Sequence, residues 1–347
     1  MTKAHSEPLL ECIPNFSEGV NMAILQKIAD SLSSVDGASL LHMDVGSSAN
    51  RTVMTLAGTP VAVLEATYRG IETAVSLINM EKHQGVHPRM GAVDVCPLVP
   101  LQGISMEEVK GLAMKLGKRV GETLGVPVFL YEESASSPSR KSLAFIRKGE
   151  YEGIAARMGT PGWKPDFGPH TFNPTAGQIA IGARELMLAY NVNLSTPDAR
   201  LAHEVAQEVR ESGKKVVDPA SGKKKQVPGT CKGLKAIGWY MEEYGLAQVS
   251  TNITRLAQTN LHQAYQAISD AAERRGLAVI GSELIGMAPL HSFLEAGKYF
   301  LQPSVEVDKH TEAELVKAAV EGLGLSTLSP FLAEERIIEY KLKQQST

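Results

Sequence analysis

One order of strand and helix signals occurs twice in this chain, and that recurrence restricts the fold more than any single residue. Residues 9–13 read as a short strand ending in the polar turn Pro14-Asn15-Phe16-Ser17-Glu18-Gly19. Over 22–32 the apolar residues Ile24, Leu25, Ile28 and Leu32 fall at helical spacing. Strands follow over 38–45 and 51–57. Thr59-Pro60 then opens a helix to about residue 77, because proline fits a first helical turn. A buried strand over 93–99 completes the series β-α-β-β-α-β.

Ser105 and Glu108 match a capping box and start a helix to about residue 124. A strand over 128–131 and two short helices divided near Gly149 follow. The second half then reads strand 186–194, a helix capped by Thr196-Pro197 to about 211, and paired strands 234–242 and 246–253. A helix over 260–275 and a strand over 277–285 close the same series, and a capping box at Thr311 and Glu314 opens a helix to about 323. Twice over, this is the split βαβ pattern. The expected fold is α/β (α+β): two ferredoxin-like subdomains, residues 1–186 and 187–341, each a mainly antiparallel sheet with outer helices. The halves share no obvious sequence repeat.

Three stretches depart from that rhythm. His83-Gln84-Gly85-Val86-His87-Pro88-Arg89-Met90-Gly91-Ala92-Val93-Asp94 lies between a helical run and the strand at 93–99. Pro88 pushes His87 toward an extended backbone, and Gly85 and Gly91 bracket the turn. Residues 160–177 contain Pro161, Pro165, Pro169 and Pro174, which neither a helix nor a central strand tolerates. Trp163, Phe167 and Phe172 need something to pack on, so this is expected to be an ordered loop lining a ligand site. Residues 213–232 are lysine-rich: a solvated hairpin or loop, or more sharply a cationic arm for a polyanionic ligand.

The chain has 347 residues, 43% of them hydrophobic and 21% charged, with a net charge of -3, which gives no support to nucleic acid or a membrane surface as partner. Cys12, Cys96 and Cys231 form no paired or metal-like spacing, which suits a reducing compartment. The start of the chain lacks a signal-peptide pattern and no run reaches membrane-spanning length, so a cytoplasmic location is expected.

His83 and His87 stand four apart, but Gly85 and Pro88 break the helix that would aim both at one metal, so no metal is expected. A histidine alone is more often structural. Beside Arg89 and Asp94 at a strand entrance, general acid/base work becomes competitive for His87. Asp44 ends a strand, as either a turn former or a carboxylate emerging from the sheet edge. Asn50-Arg51-Thr52 reads as strand-edge polarity or as a fork for carboxylates. No Walker loop, dinucleotide fingerprint or serine elbow is present in the sequence.

Pro14 to Gly19, Asp44 with Asn50-Arg51-Thr52-Val53, the block His87 to Pro97, and Pro165-Asp166-Phe167-Gly168-Pro169 together resemble the glutamate formimidoyltransferase family. Ile237-Gly238-Trp239-Tyr240, Ala247-Gln248-Val249-Ser250-Thr251-Asn252 and Glu335-Arg336-Ile337-Ile338-Glu339-Tyr340 extend the likeness along nearly the whole chain. The resemblance implies two α/β subdomains whose sheets face each other across a folate tunnel, as a homodimer. It implies transfer of a formimidoyl group from N-formimidoyl-L-glutamate to N5 of tetrahydrofolate, the co-substrate, in histidine breakdown and one-carbon metabolism. His87 matches the family's catalytic histidine. The folate loop corresponds to Gly168, Pro169, His170, Thr171, Phe172, Asn173, Pro174, Thr175, Ala176 and Gly177. Asp44 is expected to orient His87 or hold the cationic amidine, and Arg51 and Arg89 to grip carboxylates. Some members carry a fused cyclodeaminase; this chain ends near the module boundary, so that activity is not expected. The alternatives are formyl transfer between glutamate and folate, use of 5-formyltetrahydrofolate, or non-catalytic folate binding.

Overall fold

A computed structural model describes residues 7–301 and 310–345, apart from 48, 86, 161 and 219–221. The chain divides after residue 185 into two compact units. In the first unit, β1 (Leu9–Cys12) and β2 (Asn15–Phe16) are one strand interrupted at Ile13-Pro14, since proline cannot donate to a ladder. Next come α1 (Met22–Leu32), β3 (Ala38–Gly46), β4 (Arg51–Gly58), α2 (Pro60–Leu77) and β5 (Val93–Gln102). Both β1 and β2 lie antiparallel between β4 and β5, and β3 pairs outside β4. That is the split βαβ sheet read from the sequence.

The same sheet then grows beyond it. After α3 (Met106–Leu124) come β6 (Val128–Leu130), the one-turn helices α4 (Leu143–Ile146) and α5 (Ile154–Arg157), and β7 (Ile179–Ala183). β7 inserts between β5 and β6, parallel to both. The periodicity predicted no strand there. Every residue of β7 is buried, so the alternation that betrays a half-exposed strand is missing.

Two layers cover this sheet. Leu25, Ile28, Ile71, Val109, Leu116 and Val120 of α1–α3 pack on one face with Leu10, Leu56, Cys96 and Ile181. On the opposite face, segment 138–177 covers the β5–β7–β6 end, where Val95, Phe129 and Ala180 meet Ile146, Ile154 and Trp163. The predicted capping box of α3 is present: the Ser105 hydroxyl accepts from the Glu108 amide and the Glu108 carboxylate accepts from the Ser105 amide. Cys12 and Cys96, far apart in sequence, bring free buried thiols within 3.4 Å.

The second unit repeats the topology with β8 (Leu188–Leu194), α6 (Ala199–Val209), β11 (Leu234–Met241), β12 (Leu246–Ile253), α7 (Leu261–Glu273) and β13 (Val279–Ile285). Its antiparallel order is β11-β12-β8-β13. Between α6 and β11 the lysine-rich stretch forms a separate hairpin, β9 (Lys214–Val217) with β10 (Lys224–Val227), whose lysines are exposed. α8 (Leu290–Phe300) was not read from the sequence; α9 (Glu312–Gly322) carries the expected capping box, and α10 (Ala333–Arg336) and α11 (Ile338–Gln345) follow. The start of α6 is corrected: Asp198, not Thr196, is the N-cap and accepts from the Arg200 amide. No described helix is long and apolar enough to cross a membrane.

Candidate active site

The entrance to β5 gathers the site. Asp94, fully buried, receives three hydrogen bonds: Met90 N–H at 2.9 Å to Oδ1, and Arg51 Nη1 at 2.7 Å and Arg147 Nη2 at 2.6 Å to Oδ2. Arg51 comes from the first residue of β4 and Arg147 from the end of α4. Asn15 Oδ1 takes two more Arg51 donors, Nη2 at 2.7 Å and Nε at 3.2 Å, fixing the plane of the guanidinium. Burial depresses the Arg51 pKa, with Asp94 opposing the shift. Two cations share one carboxylate, so the cluster keeps a net positive charge.

His87 titrates in that field. Its pKa lies below the ordinary imidazole value of about 6.5, first because burial penalises the cation and then because of the Arg51 charge. Nδ1 lies 2.7 Å from the Pro88 carbonyl, which can only accept, so Nδ1 carries the proton of the neutral ring. Nε2 then holds the lone pair, with no hydrogen-bond partner among the described residues. A neutral imidazole with a free Nε2 beside a cationic cluster can take a proton from an incoming amine and later return it.

The other candidates are placed differently. Arg89, expected to grip a carboxylate, is buried and occupied: its guanidinium donates to both Glu152 oxygens at 2.7 and 2.9 Å and to His83 Nδ1 at 3.3 Å. The Glu152 bond raises the Arg89 pKa and lowers that of Glu152. A fork already filled by a carboxylate has little left for a ligand. His83 is structural, its Nε2 donating to the Asn50 carbonyl at 2.9 Å. Asn50, at a positive φ of 48°, accepts from Gly19 N–H at 2.8 Å and donates to the Gln84 carbonyl at 2.7 Å.

Asp44 is exposed on β3, opposite Val53 and hence on the same sheet face as Arg51. It makes no hydrogen bond to His87. Orientation of the ring falls to the Pro88 carbonyl, and the carboxylate that acts on His87 is Asp94. Nothing in the sequence marks Arg147, Asn15 or Glu152 as partners of Asp94, Arg51 and Arg89. Arg147 sits 53 residues from Asp94, and nothing local marks it.

The proline-rich loop is brought to the same turn. Gly91 and Gly177 form an antiparallel bridge, Ala92 N–H donates to the Ala176 carbonyl at 2.9 Å, and Gln178 N–H to the Met90 carbonyl at 3.1 Å. Tyr151 ties both ends, donating its amide to the Arg89 carbonyl at 2.8 Å and its hydroxyl to the Pro174 carbonyl, with its ring against Phe172. Gly168 packs its backbone on Gly121 of α3, and Asn173 binds the Gly125 carbonyl at 3.1 Å. Ala176 and Gly177 are buried and Pro169 half-buried, whereas His170, Thr171, Pro174 and Thr175 face outward. Gly177 has a φ of 68°, and a Cβ there would fall 2.2 Å from the Met90 carbonyl oxygen. Gly177→Ala should therefore cost about 2–4 kcal/mol in urea unfolding and slow turnover by shifting the His87 turn. A loss under about 0.5 kcal/mol would show that the bridge does not hold the turn.

Among the described residues there is no group of three or more metal-ligating side chains. Residues 9–184 match the model of the formiminotransferase domain, N-terminal subdomain, and residues 189–343 that of the formiminotransferase domain. A formimidoyltransferase-cyclodeaminase of Gallus gallus is 44% identical over 96% of this chain and 59% of its own length; the chain thus spans about six tenths of that relative. A glutamate formimidoyltransferase of Streptococcus pyogenes serotype M1 is 40% identical over 85% of this chain and 93% of its own. One from Thermoplasma acidophilum is 36% identical over 85% and 92%. With two family models together spanning 9–184 and 189–343, and a relative 40% identical over 85% of the chain, the chain belongs to the formiminotransferase domain family.

Proposed function

We propose that this protein is a glutamate formimidoyltransferase, moving the formimidoyl group of N-formimidoyl-L-glutamate to N5 of tetrahydrofolate. The observation that carries the reading is the neutral His87 with a free Nε2 beside the Arg51–Asp94–Arg147 cluster. N5 attacks the amidine carbon, and a tetrahedral intermediate forms. His87 Nε2 takes the N5 proton and delivers it to the glutamate nitrogen as the carbon–nitrogen bond breaks. The net positive cluster draws the carboxylates of either substrate, while Asp44, on the Arg51 face, suits the amidinium. Much of the rate comes from holding two substrates in register.

The donor test is direct. Initial rates with N-formimidoyl- and N-formyl-L-glutamate, each with tetrahydrofolate, should favour the formimidoyl donor by at least tenfold. Preference for the formyl donor would move the assignment to the alternative chemistry. The same reading makes the enzyme a cytoplasmic homodimer that uses no metal; sedimentation at assay concentration checks the dimer.

The pH dependence follows from the sign of the His87 shift. A depressed pKa leaves the ring neutral at pH 7, and the base is lost only as pH falls through that lowered value. The acid limb of kcat/KM should therefore have its midpoint below about 6.5. Arg51→Gln, by removing a cation that disfavours protonation, should move the limb upward. A limb above 7 in the wild type would rule out His87 as the titrating base. The exposed lysines of β9–β10 suit polyglutamylated folate: it should bind more tightly than monoglutamate, by a margin that shrinks in salt. Equal affinity at low salt would remove that role.

A further inference from the structure

Three guanidinium groups gather at the turn that carries His87, and their donors are engaged unequally. Arg89 has its fork on the Glu152 carboxylate and its Nε on His83. Arg51 has Nη1 on Asp94 and both Nη2 and Nε on Asn15. Arg147 makes one side-chain hydrogen bond, from Nη2 to Asp94 Oδ2 at 2.6 Å. Its Nη1 and Nε have no partner among the described residues; Nε is closed off from solvent, and Nη1 is not. The Arg147 side chain keeps 18% exposure, against 9% for Arg51 and 10% for Arg89. Of the three, Arg147 is the one with a free donor that a ligand can reach.

The charge around it is unbalanced in a matching sense. Asp94 Oδ2 accepts from Arg51 and Arg147 together, so two guanidinium groups meet at one oxygen. A largely buried cation is costly unless an anion faces it, and one carboxylate offsets only one of these two. A second carboxylate against Arg147 Nη1 would restore the balance. It would also gain a charge-assisted hydrogen bond, the stronger class of such contacts.

The chemistry of the substrates decides which carboxylate that is. In N-formimidoyl-L-glutamate the α-carboxylate stands two bonds from the nitrogen that His87 is to protonate, and the side-chain carboxylate four. The carboxylates of tetrahydrofolate lie beyond its aminobenzoyl group, far from N5. His87 sits in the field of both Arg51 and Arg147. A donor with its nitrogen at His87 thus brings its α-carboxylate, before any other, to these guanidinium groups. We propose that Arg147 recognises the donor, its Nη1 holding the α-carboxylate of N-formimidoyl-L-glutamate. The proposal rests on the formimidoyl-transfer reading above and narrows it to one residue and one carboxylate. Arg147 takes no part in the proton transfer; it holds the donor nitrogen within reach of His87.

The test pairs a change in protein with a change in donor. With tetrahydrofolate as acceptor, kcat/KM of the full chain is measured for three donors. These are N-formimidoyl-L-glutamate, N-formimidoyl-4-aminobutyrate, which lacks the α-carboxylate, and N-formimidoyl-L-2-aminobutyrate, which lacks the side-chain carboxylate. The wild type should lose about 10- to 100-fold on the donor without the α-carboxylate, as for a hydrogen bond between charged groups. Arg147→Met should shrink that penalty to threefold or less, while the penalty for a missing side-chain carboxylate stays within about twofold of the wild type's. Should Arg147→Met fail to fold by circular dichroism, Arg147→Gln, which can still donate to Asp94, is read by the same criterion. An undiminished penalty, with all three donors slowed alike, makes Arg147 structural and overturns the assignment; so does a wild type indifferent to the α-carboxylate. Both results leave transfer from formimidoyl-glutamate standing. No transfer from that donor by the wild type overturns the functional reading as well.

Discussion

His87→Gln is expected to lower kcat by about 10²- to 10⁴-fold while tetrahydrofolate binds within about twofold of the wild type, as when an acid/base is removed and shape is kept. The size follows from the double role proposed for the ring: to remove a proton that would otherwise leave N5 to water, and to supply one to a glutamate nitrogen that cannot depart as an anion. Glutamine matches the ring's bulk but cannot carry a proton. The acid limb of the pH profile should vanish in the same variant. Normal turnover, or a loss confined to KM, would mean that His87 positions substrate and does no proton transfer.

Asp94→Ala should be the most destabilising single change at the site, by about 3–5 kcal/mol, because it leaves two guanidinium groups and the Met90 amide facing a hole. Urea unfolding followed by Trp163 fluorescence in a Trp239→Phe background isolates the first unit, since Trp163 packs on Phe145 and Phe129 there. The triple variant Arg51→Met, Asp94→Leu, Arg147→Met should recover most of that stability and none of the activity, since apolar replacement of a whole buried ion cluster is often neutral or better. A loss below about 1 kcal/mol for Asp94→Ala would show that water already shares the cluster's charge.

Much of the scaffold was legible because its signals are local. The capping boxes at Ser105 and Thr311 start helices where the sequence places them, and the alternation of 234–241 with 246–253 gives the observed hairpin of strands. β7 was not, because burial on both faces removes the period-two pattern. At the site, the turn around His87 and the ordered aromatic loop could be read from prolines, glycines and aromatics, and the two meet through Gly91 and Gly177.

Partnerships were the illegible part. Arg89 with Glu152 and Asp94 with Arg147 are separated by 63 and 53 residues, and no spacing rule links them. Without them, the sequence does not show that the Arg89 fork is already engaged by Glu152, or that Asp94 is shared by Arg51 and Arg147. The hydrogen-bonded row of Trp239, Gln248 and Asn193 in the second unit is equally invisible in sequence, because only the register of three strands brings them together.

The most direct test follows one carbon. N-formimidoyl-L-glutamate labelled with carbon-13 in the formimidoyl group, mixed with tetrahydrofolate and an equal amount of enzyme at pH 7, should give one labelled 5-formimidoyltetrahydrofolate for each glutamate released, by nuclear magnetic resonance. Release of glutamate with the label in free formamide or formate, or label that stays on glutamate while folate is bound, would contradict the account.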